Sequence, residues 1–521
     1  MERLLARVER LNAIGIALTA EDDHNRLLET ILLGAKELTQ AEGGSIYRVD
    51  GTRLVFEIVR NDVLGMAFGG TSGRKVPFPP LALDRADAPV HSVVTYAVQS
   101  GRTVNIPDAY HAEGFDFSGT RAFDAQTGYR STSFLTVPLR NHEGVITGVL
   151  QLINARDEHG RVQPFGESDE RLVESLASQA ATALTKRELI DGMAHLFEAF
   201  IELIATAIDE KSPYTGGHCR RVPELTMLLA EAAAATEEGP LADFRMTEAD
   251  RYELRIAGWL HDCGKITTPE WVMDKATKLQ AIYDRIDLIA TRFEVFRRDA
   301  EIAHLRGLRS AAEWQAEVAA LEDALAFLRR INIGGEGMRP EDQDRVRHLA
   351  QRTWTRADGT TAPWLTADEV AHLCIPKGTL LPQERDIINH HIVATIRMLE
   401  KLPFPKHLQR VPEYAGGHHE RMDGKGYPKG LTREQMSVQA RIMGIADVFE
   451  ALTAGDRPYK KAMPLSQALT ILGRMAQTGH VDPDLFQIFI RSGVYRIYAE
   501  RFLAPEQRDA VDLTNLPGYA P

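Results

Sequence analysis

In the stretch IAGWLHDCGKITTPE, His261 and Asp262 close an apolar helical run and Lys265 follows His261 by four residues, a spacing that sets an imidazole and an ammonium on one helix face. One such face could serve one phosphate. Adjacent His and Asp are also a common core arrangement, with the ring bonded to a neighbouring carboxylate, so this stretch alone leaves both readings open. Downstream, RDIINHHIVATIRML sets His390 and His391 in an apolar pattern, GGHHERMDGKGYPKGL contains His418, His419 and Asp423, and MGIADVFEAL embeds Asp447 among Ile445, Ala446, Val448 and Phe449. Upstream, YTGGHCRRV contributes His218. A buried carboxylate is strongly unfavourable unless a cation or several donors compensate it, and Asp447 has no cationic neighbour in its own helical turn. A metal ion would compensate it. Imidazole and carboxylate without thiolate suit iron, manganese, zinc or similar ions and suit calcium poorly. Cys219, Cys263 and Cys374 form no C-x-x-C pair, which argues against a structural zinc site; Cys219 and Cys263 read as small buried residues.

Elements must hold these groups. Gly424, Gly426, Tyr427 and Pro428 predict a tight turn directly after the paired histidines, and its simplest role is to orient His418 and His419. No proline interrupts the chain between Ser168 and Lys211, and Leu172, Leu176, Leu184, Leu189, Leu196, Phe200 and Leu203 keep a helical rhythm, which predicts a connecting helix over 168–210. Its stripe fits either a core helix or a parallel dimer helix that transmits a rotation or register change. Ahead of it, an amphipathic helix with Leu4, Leu5, Val8, Leu11 and Ile14 on one stripe opens the chain; Glu2 and Glu9 separate it from a signal peptide. Alternating runs around Asp50-Gly51, and again around Asn141–Gly144, predict two hairpins. Helix, hairpin, irregular middle, hairpin and helix make one α+β domain over 1–186. Residues 281–376, rich in Arg, Glu, Asp and Ala, read as a helical insertion that acts as a lid or contact surface.

The 521 residues exceed what one hydrophobic core fills, roughly 250 residues, so two or three domains are expected. With 44% hydrophobic and 26% charged residues, the composition is that of a soluble folded protein. Lys+Arg 61 against Asp+Glu 73 gives a net charge of −12, which works against nucleic acid or anionic lipid as the main partner. Three cysteines fit a reducing compartment, the cytoplasm by default, and no apolar stretch approaches the roughly 18 residues of a membrane span.

Thr127-Gly128-Tyr129-Arg130, Ser133-Phe134-Leu135, Val137-Pro138-Leu139 and the run from Gly148 to Asn154 make the first third resemble a GAF domain, a small-molecule-sensing module of signalling proteins. Members that bind cyclic nucleotides share an Asn-Lys…Phe…Asp-Glu set, which Asn154, Phe165, Asp169 and Glu170 match. Ala155 stands in the lysine's place, so the family's Lys–Asp ion pair cannot form, and a dimerisation or packing role stands beside nucleotide sensing.

HDCGK, HHERMDGKGYP, IADVFEALTAGDRPYKK and PYTGGH together resemble the HD-GYP domain, a subgroup of the HD-superfamily metal phosphohydrolases, over about 197–500 apart from the insertion, with 501–521 as a C-terminal tail. The resemblance implies an all-α domain that hydrolyses cyclic di-GMP to pGpG and GMP. It places His218, His261, Asp262 and Asp447 on one metal, with Asp262 bridging to a second held by His391, His418 and His419. His391 rather than His390 fits the family's spacing to Met398-Leu399, which leaves His390 in a supporting or surface position. Relatives with a third metal carry a glutamate where this chain has Tyr214, so two divalent ions, iron or manganese, are expected. Ser212 replaces an aspartate that many relatives have, which loosens the placement of Lys265. Two metals can lower the pKa of one water and polarise a phosphate oxygen together, with Asp262 and Lys265 as catalytic groups and Lys265, Arg457 and Lys460 meeting the dianionic substrate. RPYK follows Asp447 at nearly the family spacing, with one extra residue near Gly455. The resemblance further implies contact with diguanylate cyclases through the GYP loop, and a homodimer is expected. Two alternatives stand beside the hydrolase: a receptor or scaffold that binds the nucleotide with negligible turnover, and an HD-type hydrolase of another cyclic nucleotide such as cyclic GMP-AMP.

Overall fold

The computed structural model describes residues 2–83, 92–211, 217–335, 337–455 and 462–520, and it divides into a unit of Met1–Phe197 and a unit of Glu198–Pro521. In the first unit the order is α1 (Glu2–Ala20), α2 (His24–Thr39), β1 (Ala41–Asp50), β2 (Arg53–Asn61), β3 (Met66–Gly69), β4 (Leu81–Ala82), α3 (Val93–Ser100), β5 (Val104–Ile106), α4 (Ser118–Thr127), β6 (Phe134–Arg140), β7 (Ile146–Arg156) and β8 (Val162–Gln163). One antiparallel sheet runs β3-β2-β1-β7-β6-β5, with β4 on β2 and β8 on β7.

Both predicted hairpins form where their turn residues allow. Asp50 pairs with Arg53 across a turn in which Gly51 takes φ 56°, a left-handed conformation that favours glycine. At the second turn the Asn141 side chain accepts from the backbone of Glu143 and Val145 at 3.1 and 2.9 Å. The strand period then sorts the faces: Ile46, Leu135, Val137, Leu150 and Leu152 point to a core closed by α1, α2 and the long helix that follows, while Tyr47, Phe134 and Val149 point the other way. Of the stripe expected on α1, Leu11 and Ile14 are buried together with Leu18, but Leu5 and Val8 are exposed because only the second half of α1 reaches this core; the Leu4 side chain lies outside the described residues.

The expected connecting helix is α5 (Glu167–Lys211). Its stripe changes character along its length: Leu172, Leu176 and Leu184 are buried in the first unit's core, whereas Leu189, Leu196, Phe200 and Leu203 are exposed.

The second unit continues with α6 (His218–Ala234), α7 (Glu248–Leu260), α8 (Glu270–Met273), α9 (Ile286–Leu305), α10 (Ala311–Asn332), α11 (Pro340–Gln351), β9 (Thr353–Thr355), β10 (Thr361–Pro363), α12 (Ala367–Leu373), α13 (Pro382–Leu399), α14 (Val411–Gly416), α15 (Val438–Thr453), α16 (Leu465–Gln477), α17 (Pro483–Arg491) and α18 (Val494–Phe502). Helices α6, α7, α13, α14 and α15 pack on one another, and α16 to α18 close the bundle around Phe449, Phe489 and Tyr498. The inserted segment has its own core, with Phe296 stacked on Trp364 at 4.7 Å and Phe293 beside both. It also contains the β9–β10 hairpin, so among the described residues the second unit is helical with one small two-stranded exception. Lys278 staples the insertion's ends by donating its ammonium to the carbonyls of Leu373 and Ile375 at 3.0 and 2.8 Å. The C-terminal segment packs on the bundle as well, the Gln507 amide donating to Thr453 O at 2.8 Å. Among the described residues no helix is long and apolar enough to cross a membrane.

Candidate metal centre

Helix α7 stops at Leu260, and its next two residues are His261 and Asp262; residues 263–267 form a short 3₁₀ turn. His261 and Lys265 therefore do not share an α-helical face. The Lys265 ammonium instead bonds Asp262 Oδ2. Glycine is required in this turn, since a Cβ at Gly264 would lie 2.0 Å from His391 O on α13. Its backbone amide donates to Thr395 Oγ1 at 2.9 Å, which seats Asp262 against α13.

His261, Asp262, His391 and His418 are buried, with His218 and Asp447 nearly so, and His419 is partly covered by Tyr427, stacked on it at 4.8 Å. The side chains gather into two groups, Asp262, His391, His418 and His419 in one and His218, His261 and Asp447 in the other, with the ligating atoms of each within 4.8 Å of one another. Asp262 spans both, with Oδ2 at 3.1 Å from His218 Nε2 and 3.2 Å from His261 Nε2, and Oδ1 at 3.2 Å from His391 Nε2. Asp447 lies 3.5 Å from His218 Nε2 through one oxygen and 3.9 Å from His419 Nδ1 through the other.

The ring orientations decide what these groups can hold. His261, His391 and His418 each turn Nδ1 toward the carbonyl three residues earlier, Gly258 at 2.7 Å, Ile388 at 2.6 Å and Ala415 at 2.6 Å. Each then presents an Nε2 lone pair to the site. His218 Nε2 faces His261 Nε2 at 3.2 Å and His391 Nε2 faces His419 Nε2 at 3.2 Å, contacts that only a proton or a cation between them relieves. His418 Nε2 and Asp262 Oδ1 are buried without a hydrogen-bond partner. This donor set fits divalent cations of the iron, manganese and zinc type.

Electrostatics follow the same geometry. Burial pushes the His418 ring down to about 4 and the His419 ring well below its usual value, so both are neutral and able to ligate. Against its own burial, the Glu450 carboxylate and Asp262 push the His218 ring up to about 10. Asp262 is buried too, yet the Lys265 ammonium and the His218 ring hold its carboxyl well below the usual range. Lys265 stays charged despite burial because Asp262 and Asp447 surround it.

His390 is exposed beside its buried neighbour. Asp423 stands outside both groups, paired with Arg421 at 2.8 Å. Arg457 and Lys460, together with Ser212 and Tyr214, lie outside the described residues. Two site residues escaped the sequence reading, Glu450 and Arg221. Glu450 accepts from His218 Nδ1 at 2.6 Å and from Arg221 Nε at 2.7 Å. The available signal was spacing, since Glu450 follows Asp447, and Arg221 follows His218, by one helical turn.

In the first unit a cavity of about 220 Å³ is lined by Tyr47, Phe56, Phe123, Tyr129, Arg60 and Gln151 among others. The Arg60 guanidinium is engaged by Glu29 and by the carbonyls of Phe68 and Gly69. None of Asn154, Phe165, Asp169 and Glu170 lines this cavity. Asn154 is a latch, accepting from the backbone of Thr132 at 2.7 Å and donating to Glu42 at 2.9 Å, and Phe165 is core.

A GAF-domain family model matches residues 23–184, and two HD-domain models match 215–330 and 365–485. The chain is 28% identical over 355 residues to the 3'3'-cGAMP-specific phosphodiesterase 3 of Vibrio cholerae, covering 66% of this chain and 52% of that protein. It is 46% identical over 84 residues to a cyclic di-GMP phosphodiesterase of Pseudomonas aeruginosa, covering 16% of this chain and 19% of that protein. The match thus spans about half the length of the first relative and about a fifth of the second. Among solved structures, the GAF domain of a Coxiella burnetii phosphoenolpyruvate-protein phosphotransferase overlaps 36% of this chain and 98% of that one, at 14% identity and a TM-score of 0.28. The chain carries a GAF domain in its N-terminal unit and HD-domain sequence in its C-terminal unit.

Proposed function

We propose that this chain, a GAF domain followed by an HD-type domain, is a metal-dependent cyclic dinucleotide phosphodiesterase of the HD-GYP kind that converts cyclic di-GMP to pGpG and then GMP. The observation that carries the reading is the buried Asp262 carboxylate, which turns one oxygen to each of two imidazole groups whose Nε2 atoms face one another at 3.2 Å. In this reading His218, His261, Asp262 and Asp447 hold one ion, and Asp262 with His391, His418 and His419 holds the other. Two divalent ions, iron or manganese, would supply positive charge to the phosphodiester and lower the pKa of an attacking water. The chain's own contribution is to keep Asp262 ionised, the four inner rings aimed, and a cationic Lys265 ready for a phosphate oxygen. Arg457 and Lys460 complete that positive charge. The GAF domain regulates the reaction through a small-molecule ligand, α5 pairs with its copy in a homodimer, and the turn after His419 offers a surface to a diguanylate cyclase.

The test is turnover by the purified full chain loaded with Mn²⁺ or Fe²⁺. Wild type is expected to convert cyclic di-GMP and the His261→Ala/Asp262→Ala double variant is not; equal turnover by both overturns the proposal. A second substrate reading, 3'3'-cGAMP, draws on the Vibrio cholerae relative that matches over 355 residues. Running both cyclic dinucleotides side by side and comparing kcat/KM decides between them.

A further inference from the structure

We infer that Glu450 is the positioning residue for His218, that Arg221 holds Glu450 in turn, and that this pair governs retention of an ion at the group of His218, His261 and Asp447. The inference rests on the proposed metal-dependent reading and assigns new roles within it.

The argument begins with where each histidine stands in its element. His261, His391 and His418 follow helical turns, so a main-chain carbonyl three residues back is in place to accept from Nδ1 and fix the ring. His218 is the first residue of α6 and departs from this pattern. A side chain from another helix does the work instead: Glu450 Oε2 lies 2.6 Å from His218 Nδ1. Glu450 is 1% exposed and sits one turn after Asp447 on α15, so the same helix brings one carboxylate to the ion position and a second to the back of the ring. The two oxygens of Glu450 are divided between partners. Oε2 serves the ring, and Oε1 receives Arg221 Nε and Nη2, each at 2.7 Å, from one turn beyond His218. The carboxylate thus cannot swing away from the ring without breaking a charge-assisted pair. A carboxylate behind a ligating imidazole fixes its tautomer and strengthens it as a donor, and its loss typically weakens ion binding roughly 10–100-fold.

The rival account is a buried ion pair that merely ties α6 to α15. It predicts lower stability on mutation with unchanged ion affinity in whatever folds. Titration of metal-stripped full chain with Mn²⁺, followed by the EPR signal of free Mn²⁺, separates the two. Wild type is expected to take up two ions per chain. Glu450→Gln, similar in shape but uncharged, is expected to weaken one of the two sites roughly 10–100-fold and leave the other unchanged. Arg221→Met, which leaves Glu450 on the ring but removes its anchor, is expected to give an intermediate loss at the same site and serves as the test if Glu450→Gln does not fold. Glu253→Gln controls for removing a buried carboxylate, because Glu253 is equally buried but bonds Arg410 N at 2.6 Å. Two unchanged sites in folded Glu450→Gln or Arg221→Met overturn this inference alone. No ion bound by wild type overturns the functional proposal and this inference with it.

Discussion

At the scale of single residues, the site depends as much on an absent side chain as on the ones that carry charge. Asp262 can reach both imidazole groups only because the turn that carries it lies flush on α13, and Gly264 permits that approach. A Cβ there would lie 2.0 Å from His391 O and 2.5 Å from Thr395 N, both backbone atoms that cannot step aside. Gly264→Ala should therefore lift the turn from α13, part Asp262 from His391, and destabilise the second unit by on the order of 3 kcal/mol. Urea denaturation followed by tryptophan fluorescence measures this; a wild-type midpoint would show that the glycine is not a steric requirement. The neighbouring cysteines fit the same packing account, since Cys219 and Cys263 are buried and burial raises both thiols.

At the scale of elements, the last turn of α5 is wired to two segments of the site. Asp209 accepts from the backbone of Gly217 at 3.1 Å and of Cys219 at 3.3 Å, which caps the start of α6 where His218 sits. Two residues on, the Lys211 ammonium donates to the carbonyls of Ile266 at 2.5 Å, Thr268 at 2.7 Å and Lys265 at 3.2 Å, closing the end of the 3₁₀ turn. Lys211→Met should leave those carbonyls without their cation and loosen the turn that carries Lys265. The expected outcome is faster amide hydrogen exchange over 263–268 than elsewhere in the second unit, with a stability loss of about 1–2 kcal/mol. Exchange that rises uniformly, or not at all, would detach α5 from the site.

At the scale of the whole molecule, the two units own separate hydrophobic cores, and the five tryptophans, Trp259, Trp271, Trp314, Trp354 and Trp364, all belong to the second. Tryptophan fluorescence therefore follows the second unit alone, while far-UV circular dichroism follows both. An ion that binds only the folded second unit stabilises it by about 2.7 kcal/mol at a free concentration of 100 times Kd. Adding Mn²⁺ should thus raise the fluorescence midpoint and leave the part of the dichroism transition that belongs to the first unit in place. Coincident shifts of both signals would mean that the units unfold as one. The insertion adds a third packed cluster, around Phe296 and Trp364, tied back by Lys278 and by the buried Lys275–Glu384 pair at 2.7 Å.

What the amino-acid order determined by itself is whatever short-range rules encode. The turns at Asp50-Gly51 and Asn141–Gly144, the proline-free run that became α5, and the residue types suited to a divalent cation all depend on neighbours a few positions away. Tertiary structure alone decided which of those groups meet. Glu450 comes to His218 across 232 positions, Leu5 and Val8 are left exposed because the core ends beneath the middle of α1, and α7 stops before His261 so that Lys265 turns to Asp262. Burial and helix-to-helix contact are sums over distant parts of the chain, and no local pattern carries them.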